Sequence, residues 1–115
     1  MPLIRMETSV TISETDETAL ALALSKIAAT AIGKPESYVM SVVSRSAISM
    51  AGEMGPAAFL DVRSIGGLNQ SVNRDISKQV AALLKEKLQI PDDRIYISFE
   101  SVSGVNWGYQ GSTFG

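Results

Sequence analysis

The sequence repeats itself at an offset of 56 residues, and this repeat limits the fold more than any other feature. Two sets of apolar residues step by three and four positions along the chain, which is the spacing of one face of an amphipathic helix. The sets are Leu20, Leu24, Ile27, Ala28 and Ile32, then Ile76, Val80, Leu83, Leu84 and Leu88. The repeat therefore predicts two equivalent helices.

Short apolar segments flank both helices at the same offset. Leu3, Ile4 and Met6 align with Phe59, Leu60 and Val62, while Pro35 and Pro91 each precede an apolar run, at 39–43 and 95–99. A strand, a helix and a strand form a β-α-β unit, so the chain carries this unit twice. We predict one domain over 1–115 with halves at about 2–55 and 58–115. The fold class is α/β of the α+β type: a four-stranded sheet with two helices on one face.

The second face of this sheet bears on assembly. In the second strand, successive side chains point to opposite faces, and apolar side chains fall in both sets: Val39, Ser41 and Val43, then Met40, Val42 and Ser44. Two helices can cover only one face. A sheet that is apolar on both faces needs a second cover, so we predict self-association.

Composition excludes several classes of function. The 115-residue chain has no cysteine and no histidine, which removes disulfides, thiol catalysis and the usual transition-metal ligands. The net charge is −2 with no basic cluster, so a nucleic-acid or membrane partner has no electrostatic support. We expect no metal and no cofactor. No transmembrane run or signal peptide is apparent, so we expect a cytoplasmic protein, with non-classical secretion left open.

Pro2 directly follows Met1 in this chain without histidine. If Met1 is removed, Pro2 becomes an N-terminal secondary amine, and an α-amino group titrates at roughly 7.7–8.0, lower in an apolar pocket. Such an amine can replace histidine in acid–base chemistry. The alternative is that proline merely starts an edge strand, where its missing N–H has little effect.

Five further positions are candidate binding residues. Lys34 follows the first helix, where it either binds an anion or only complements the helix dipole. Ser64 and Ile65 begin a strand-to-helix turn whose free N–H groups either hold an anion or form a plain turn. Tyr96 and Ser98 share a strand face and point toward whatever covers the second face of the sheet; the alternative is an interface tyrosine.

Aromatic residues are concentrated near the end of the chain. Trp107, Tyr109 and Phe114 lie in a glycine-rich tail, which we expect to form short strands or turns, and Tyr38 is a fourth aromatic candidate. Aromatic side chains on loops either line a pocket for a flat ligand or anchor the tail to a neighbouring subunit.

Together these motifs resemble the macrophage migration inhibitory factor family of the tautomerase superfamily. The resemblance covers the whole chain in order, through the segments 1–4, 32–38, 64–66, 90–97 and 111–114. It implies a homotrimer whose sheets line a central barrel, with each active site at a subunit boundary and Pro2 as the base. It further implies that Lys34 and the Ile65 backbone bind the substrate's carboxylate and carbonyl oxygens, with Ser64 as a further substrate-binding residue. Tyr38, Tyr96 and Phe114 would line the pocket, with Tyr96 from the adjacent subunit.

Three substitutions depart from the animal members of this family. Ser98 replaces an asparagine, Tyr109 a tryptophan, and Trp107 a small aliphatic residue, so we expect a rearranged pocket rim. The family's Cys-x-x-Cys pair falls on 57–60, which has no cysteine.

The resemblance predicts a keto–enol tautomerase, an isomerase acting on phenylpyruvate-like aromatic α-keto acids, with dopachrome as a weaker substrate. One alternative is a signalling or binding protein with vestigial catalysis. Another is a decarboxylase or dehalogenase, which Arg5, Arg45 and Arg63 are not obviously placed to assist.

Overall fold

The computed structural model describes all 115 residues and contains two long helices and four main strands. In chain order the elements are β1 (Pro2–Thr8), α1 (Glu14–Ile32), β2 (Met40–Arg45), β3 (Ala58–Ser64), α2 (Gln70–Leu88) and β4 (Ile95–Ser101). Two short strands, β5 (Gly108–Tyr109) and β6 (Ser112–Thr113), form a separate hairpin in the tail. The predicted β-α-β duplication and the α+β class are confirmed.

The main sheet has the strand order β2-β1-β3-β4. Within each half, the two strands are parallel and a helix connects them, and β1 and β3 join the halves as an antiparallel pair. In that pair Ile4 lies opposite Val62 near the middle, and Pro2 lies opposite Ser64 at one end. The N-terminus therefore lies beside the turn that leads into α2.

The two helices pack on one face of the sheet and form the core with it. The helix positions aligned by the repeat are buried, except Ile27 and Leu83, which are only half-buried at the margin. The helices begin at side-chain caps: the Ser13 hydroxyl accepts the Asp16 N–H at 3.1 Å, and the Asn69 carbonyl accepts the Val72 N–H at 2.9 Å. Such caps satisfy N–H groups that the helix leaves free.

The opposite face of the sheet, which we call the open face, differs from our expectation. It is apolar along β2, where Met40 is 64% exposed, but its centre is charged. There Asp61 lies 3.6 Å from Arg5 and 3.2 Å from Arg63, and Glu7 and Glu100 pair with these arginines at 2.9 and 3.5 Å. The prediction of an apolar second face is thus wrong at its centre, where β1, β3 and β4 carry these charged side chains. Apolar side chains persist at the margins, with Leu3 opposite Met40 and Phe59 opposite Tyr96.

Arg94 is one of the side chains that fasten the connector between the halves; Thr8 and Ser9 also hydrogen-bond to it, at Gly55 and Ala57. The Arg94 guanidinium donates from Nε to the Pro56 carbonyl at 2.7 Å and from Nη2 to the Glu53 carbonyl at 3.1 Å. Both carbonyls belong to the segment 46–57, which has no regular structure apart from a single bridge between Met50 and Glu53.

Neither helix is long and apolar enough to cross a bilayer.

Candidate active site

Pro2 begins β1 with its side chain fully buried. In the structure Met1 still precedes it, so the Pro2 nitrogen is an amide. The Met1 carbonyl oxygen accepts the Ile65 N–H at 3.4 Å. A carbonyl oxygen is bonded through one carbon to the next residue's nitrogen. The Ile65 N–H therefore points to the space directly beside the Pro2 nitrogen.

The turn after β3 fixes the direction of the Ile65 N–H. Ser64 is fully buried; its hydroxyl donates to the Gly66 carbonyl at 2.6 Å, and its own carbonyl accepts the Val102 N–H at 2.9 Å. Gly66 and Gly67 have φ of 74° and 83°, a left-handed conformation that glycine adopts readily. Ser64 thus holds the turn together, and its side chain does not line the clefts described below.

Lys34 is held near this turn by the end of α1. Gly33 adopts a left-handed conformation with φ of 77°, and the N–H groups of Gly33 and Lys34 both donate to the Ala29 carbonyl, at 3.0 and 3.1 Å. This is a common way of ending a helix. Lys34 is half-buried, and its ammonium forms no ion pair, so the charge is free to bind an anion.

Electrostatics at the N-terminus favour a neutral amine. Burial, and secondarily the charge of Lys34, lower the pKa of the Met1 α-amino group from its ordinary value. Both effects disfavour an ammonium ion, since burial removes its hydration and Lys34 repels it. At neutral pH a larger fraction of an amine at this end of β1 is therefore neutral than of an exposed amine, and only the neutral form can accept a proton.

Two clefts meet at Met1 and Tyr38. The first, which we call the Lys34 cleft, has a volume of about 400 Å³ and is lined by Met1, Lys34, Pro35, Tyr38, Ile65 and Phe114. The second, which we call the Trp107 cleft, has a volume of about 410 Å³ and is lined by Met1, Pro2, Leu3, Ser37, Tyr38, Val39, Met40, Trp107, Gly108 and Tyr109. The first contains a cation, whereas the second has no charged side chain.

The tail supplies the aromatic walls of both clefts. The Tyr109 and Phe114 rings stack with centroids 5.4 Å apart and planes inclined by 13°. The Phe114 N–H donates to the carbonyls of Gly104 and Trp107, at 3.1 and 3.2 Å, which closes the tail hairpin. The tail therefore forms the short strands and turns that we expected, and it brings Trp107, Tyr109 and Phe114 to the N-terminus.

Tyr96 and Ser98 lie away from these clefts. Tyr96 is opposite Phe59 at the start of β3, whereas Pro2 is opposite Ser64 at its end. Five residues of strand separate these levels, or roughly 17 Å at about 3.3 Å per residue. Both side chains are exposed on the open face. A single chain thus brings together Pro2, Lys34, Ile65, Tyr38 and the tail aromatics, but not Tyr96 and Ser98.

The sequence reasoning missed part of the cleft wall. Leu3, Val39 and Met40 line the Trp107 cleft, and Leu3 lies opposite Met40 across the parallel β1–β2 pair. The alternation of side chains along the two strands can be seen in the sequence, but the register between the strands cannot.

Nowhere in the chain do three or more histidine, cysteine, aspartate or glutamate side chains come together in a way that could hold a metal ion.

The fold is that of the tautomerase superfamily, to which the macrophage migration inhibitory factor family belongs. The family model for macrophage migration inhibitory factor (MIF) matches residues 1–115. The chain is 36% identical over 115 residues to macrophage migration inhibitory factor from Meriones unguiculatus, with 99% of both chains covered.

Solved structures agree with this assignment. A macrophage migration inhibitory factor homologue from Prochlorococcus marinus superimposes with a TM-score of 0.92 at 38% identity, over 98% of this chain and 99% of the other. The macrophage migration inhibitory factor-like protein from Entamoeba histolytica gives a TM-score of 0.94 at 34% identity, over 98% of each chain. The chain belongs to the macrophage migration inhibitory factor family.

Proposed function

We propose that this protein is a keto–enol tautomerase of phenylpyruvate-like α-keto acids, with Pro2 as its general base once Met1 is removed. The observation that carries the proposal is the hydrogen bond from the Ile65 N–H to the Met1 carbonyl oxygen. Loss of Met1 frees that N–H next to the new amine. A hydrogen-bond donor and a base then face the same space, with Lys34 on its border.

The reaction needs one proton to leave one atom and return to another. The neutral Pro2 amine takes a proton from the carbon beside the substrate carbonyl, and the electron pair of that C–H bond moves toward the carbonyl oxygen. Lys34 and the Ile65 N–H stabilise the negative charge that develops on that oxygen, next to the charge that the carboxylate already carries. The Pro2 ammonium then returns the proton to the oxygen, which yields the enol; the reverse sequence ketonises it. General acid–base transfer of this kind contributes about 10²–10⁴-fold.

The assembly is part of the proposal. Tyr96 is exposed near the far end of the open face and Ser98 near its centre, opposite Asp61, and neither lines the clefts beside Pro2. They therefore reach a Pro2 site only if another copy of the chain supplies them. We propose a homotrimer in which each site lies between two copies. Sedimentation equilibrium of the purified protein tests this state, and a monomer at assay concentration would contradict it.

The test of the chemistry begins with the N-terminus. Intact mass shows whether Met1 is absent, and phenylpyruvate ketonisation is then compared between the wild type and Pro2→Gly, which keeps a free α-amine of different basicity and geometry. A third form with an added N-terminal alanine before Pro2 turns the nitrogen into an amide. We expect a large loss in Pro2→Gly and no Pro2-dependent rate in the extended form.

Equal turnover in all three forms would rule out the proline mechanism. Normal folding of the variants, checked by circular dichroism, is the control. A protein that turns over no keto acid even with a free Pro2 amine would instead favour the binding-protein alternative.

A further inference from the structure

Met40 gives the Trp107 cleft a wall that can be chemically modified. It begins β2, is 64% exposed, and lines the cleft together with Leu3 and Trp107. The next residue, Ser41, points toward the helices, where its hydroxyl donates to the Ala21 carbonyl at 2.7 Å. Because neighbouring side chains of a strand point to opposite faces, the Met40 thioether lies on the side of the sheet that faces away from the helices.

The other methionines differ from Met40 in position or in exposure. Met1 is absent from the mature form that the proposed function requires, Met6 is fully buried, and Met50 is half-buried in the connector. Met54 is 68% exposed, but it belongs to the connector and lines neither cleft. Met40 is therefore the one exposed methionine within the proposed active site of the mature protein.

We propose that Met40 is a reversible oxidation site through which hydrogen peroxide weakens substrate binding. This proposal rests on the proposed function. The thioether sulfur donates an electron pair to one peroxide oxygen, the O–O bond breaks, and the other oxygen leaves as water with both protons. Sulfur is thereby oxidised by two electrons to the sulfoxide while peroxide is reduced. Methionine sulfoxide reductases reverse the change with two electrons from a thiol donor and release the oxygen as water.

Access to Met40 in the proposed trimer follows from the size of the oxidant. Another copy of the chain borders the site there, but the site has to admit a keto acid. Hydrogen peroxide is much smaller than any such acid, so a side chain in the wall of the cleft stays within its reach. Loss of Met1, which lines the same cleft, uncovers this wall further.

Oxidation changes the polarity of the cleft wall. The sulfoxide oxygen is a hydrogen-bond acceptor, whereas the adjacent Leu3 and Val39 side chains offer no donor. An apolar ligand group that covers the sulfoxide removes its water without replacing the hydrogen bond, so binding weakens. Lys34 and the Ile65 N–H line the other cleft and keep their chemistry. We therefore expect KM to rise while kcat changes little.

Peptide mapping by mass spectrometry tests the modification itself. The mature protein is exposed to hydrogen peroxide with and without 3-phenylpropanoate, an acid that has no keto group and does not consume peroxide. We expect Met40 and Met54 to gain oxygen well before Met6, and the acid to slow the reaction of Met40 severalfold but not that of Met54. An equal rate at Met40 with and without the acid, or oxidation of Met40 no faster than that of Met6, would overturn the proposal.

The kinetic test compares each protein with its own untreated form, after catalase has removed the peroxide. In the wild type we expect KM for phenylpyruvate to rise about tenfold, the effect of one unpaired polar group against the ligand, and to recover with methionine sulfoxide reductases. Met40→Leu has no sulfur and should keep its KM through the treatment, whereas Met54→Leu should respond like the wild type. An equal rise in Met40→Leu and the wild type, or a rise that the reductases do not reverse, would refute the proposed site.

A binding measurement separates this proposal from the proposed chemistry. Trp107 is the only tryptophan and lines the same cleft, so its fluorescence reports bound 3-phenylpropanoate without any turnover. Peroxide treatment should weaken this binding about tenfold in the wild type but not in Met40→Leu. That result in a protein that turns over no keto acid would defeat the proposed function and support the oxidation site. Equal affinity before and after oxidation of Met40 in the wild type would overturn the proposal, whatever the turnover.

Discussion

Gly67 lies directly against the end of α1: a Cβ atom at this position would fall 2.6 Å from Ile32 Cγ2. The same atom would lie 3.7 Å from Lys34 Cε. The absence of a side chain on Gly67 therefore lets the turn that carries the Ile65 N–H approach the residue that carries the positive charge. The two groups proposed to stabilise the substrate's oxygens depend on this single close approach.

Replacement of Gly67 by alanine should destabilise the protein and weaken catalysis together. The left-handed φ costs alanine about 1–2 kcal/mol, and the contact with Ile32 adds about 1–3 kcal/mol of overpacking. Gly66→Ala is a matched control, because Gly66 also has a left-handed φ but open space around its Cβ position. Urea denaturation measures the free energy of unfolding of both variants. An equal loss in the two would show that the contact with Ile32 contributes nothing.

Lys34→Gln should shift the pH dependence of tautomerisation. The base must be neutral, so kcat/KM rises with pH through the pKa of the Pro2 amine. Burial and then Lys34 lower the pKa of the Met1 α-amino group, and we expect the same two causes to act on the Pro2 amine that replaces it. Removal of the positive charge stabilises the ammonium, so the pKa rises and the rising limb moves to higher pH. The shift is partial because burial, the larger cause, remains. Lys26→Gln, on the exposed side of α1, is the control, and a limb that does not move would contradict the assigned coupling.

The fold was predictable because the repeat places the same pattern twice, so each half supports the interpretation of the other. Helix positions such as Leu24 and Val80 follow directly from spacing. Asp61 was missed as the centre of a charged face, because its neighbours Arg5 and Ser98 become apparent only once the strand order is known. Trp107 was a candidate from composition, and short strands or turns were expected in the glycine-rich tail, but the sequence does not show that the tail hairpin packs beside Pro2.

Ser46→Ala should raise the pKa of Glu7. In the folded protein the pKa of this carboxyl is lowered, first by the hydrogen bond from the Ser46 hydroxyl at 2.7 Å and then by the bond from Arg5. A depressed carboxyl pKa stabilises the fold at pH values above the unfolded pKa, and this stabilisation is lost as the pH falls through the folded value. NMR titration of the Glu7 side chain should therefore show an upward shift in the variant.

The same substitution should change how the free energy of unfolding depends on pH. The free energy of unfolding should depend less on pH below about 4.5, the ordinary value for glutamate, in Ser46→Ala than in the wild type. Ser103→Ala is the control, because the Ser103 side chain makes no capping bond. A titration of Glu7 that is the same in the wild type and in Ser46→Ala would refute the role of the hydroxyl.

Arg94→Lys should loosen the connector between the two halves while the sheet stays intact. The guanidinium reaches the carbonyls of Glu53 and Pro56 at once, and a third bond extends to Met50 at 3.5 Å, whereas a single ammonium cannot span such a fork. Loss of charge-assisted bonds of this kind costs about 1.5–3 kcal/mol each at most, less where water replaces the donor. Limited proteolysis should therefore cut within 46–57 faster in the variant. The control is Arg74→Lys, because Arg74 occupies an exposed position of α2. Because the connector lines neither cleft, phenylpyruvate turnover should be retained while cleavage accelerates, and equal cleavage rates would show that the fork does not restrain the segment.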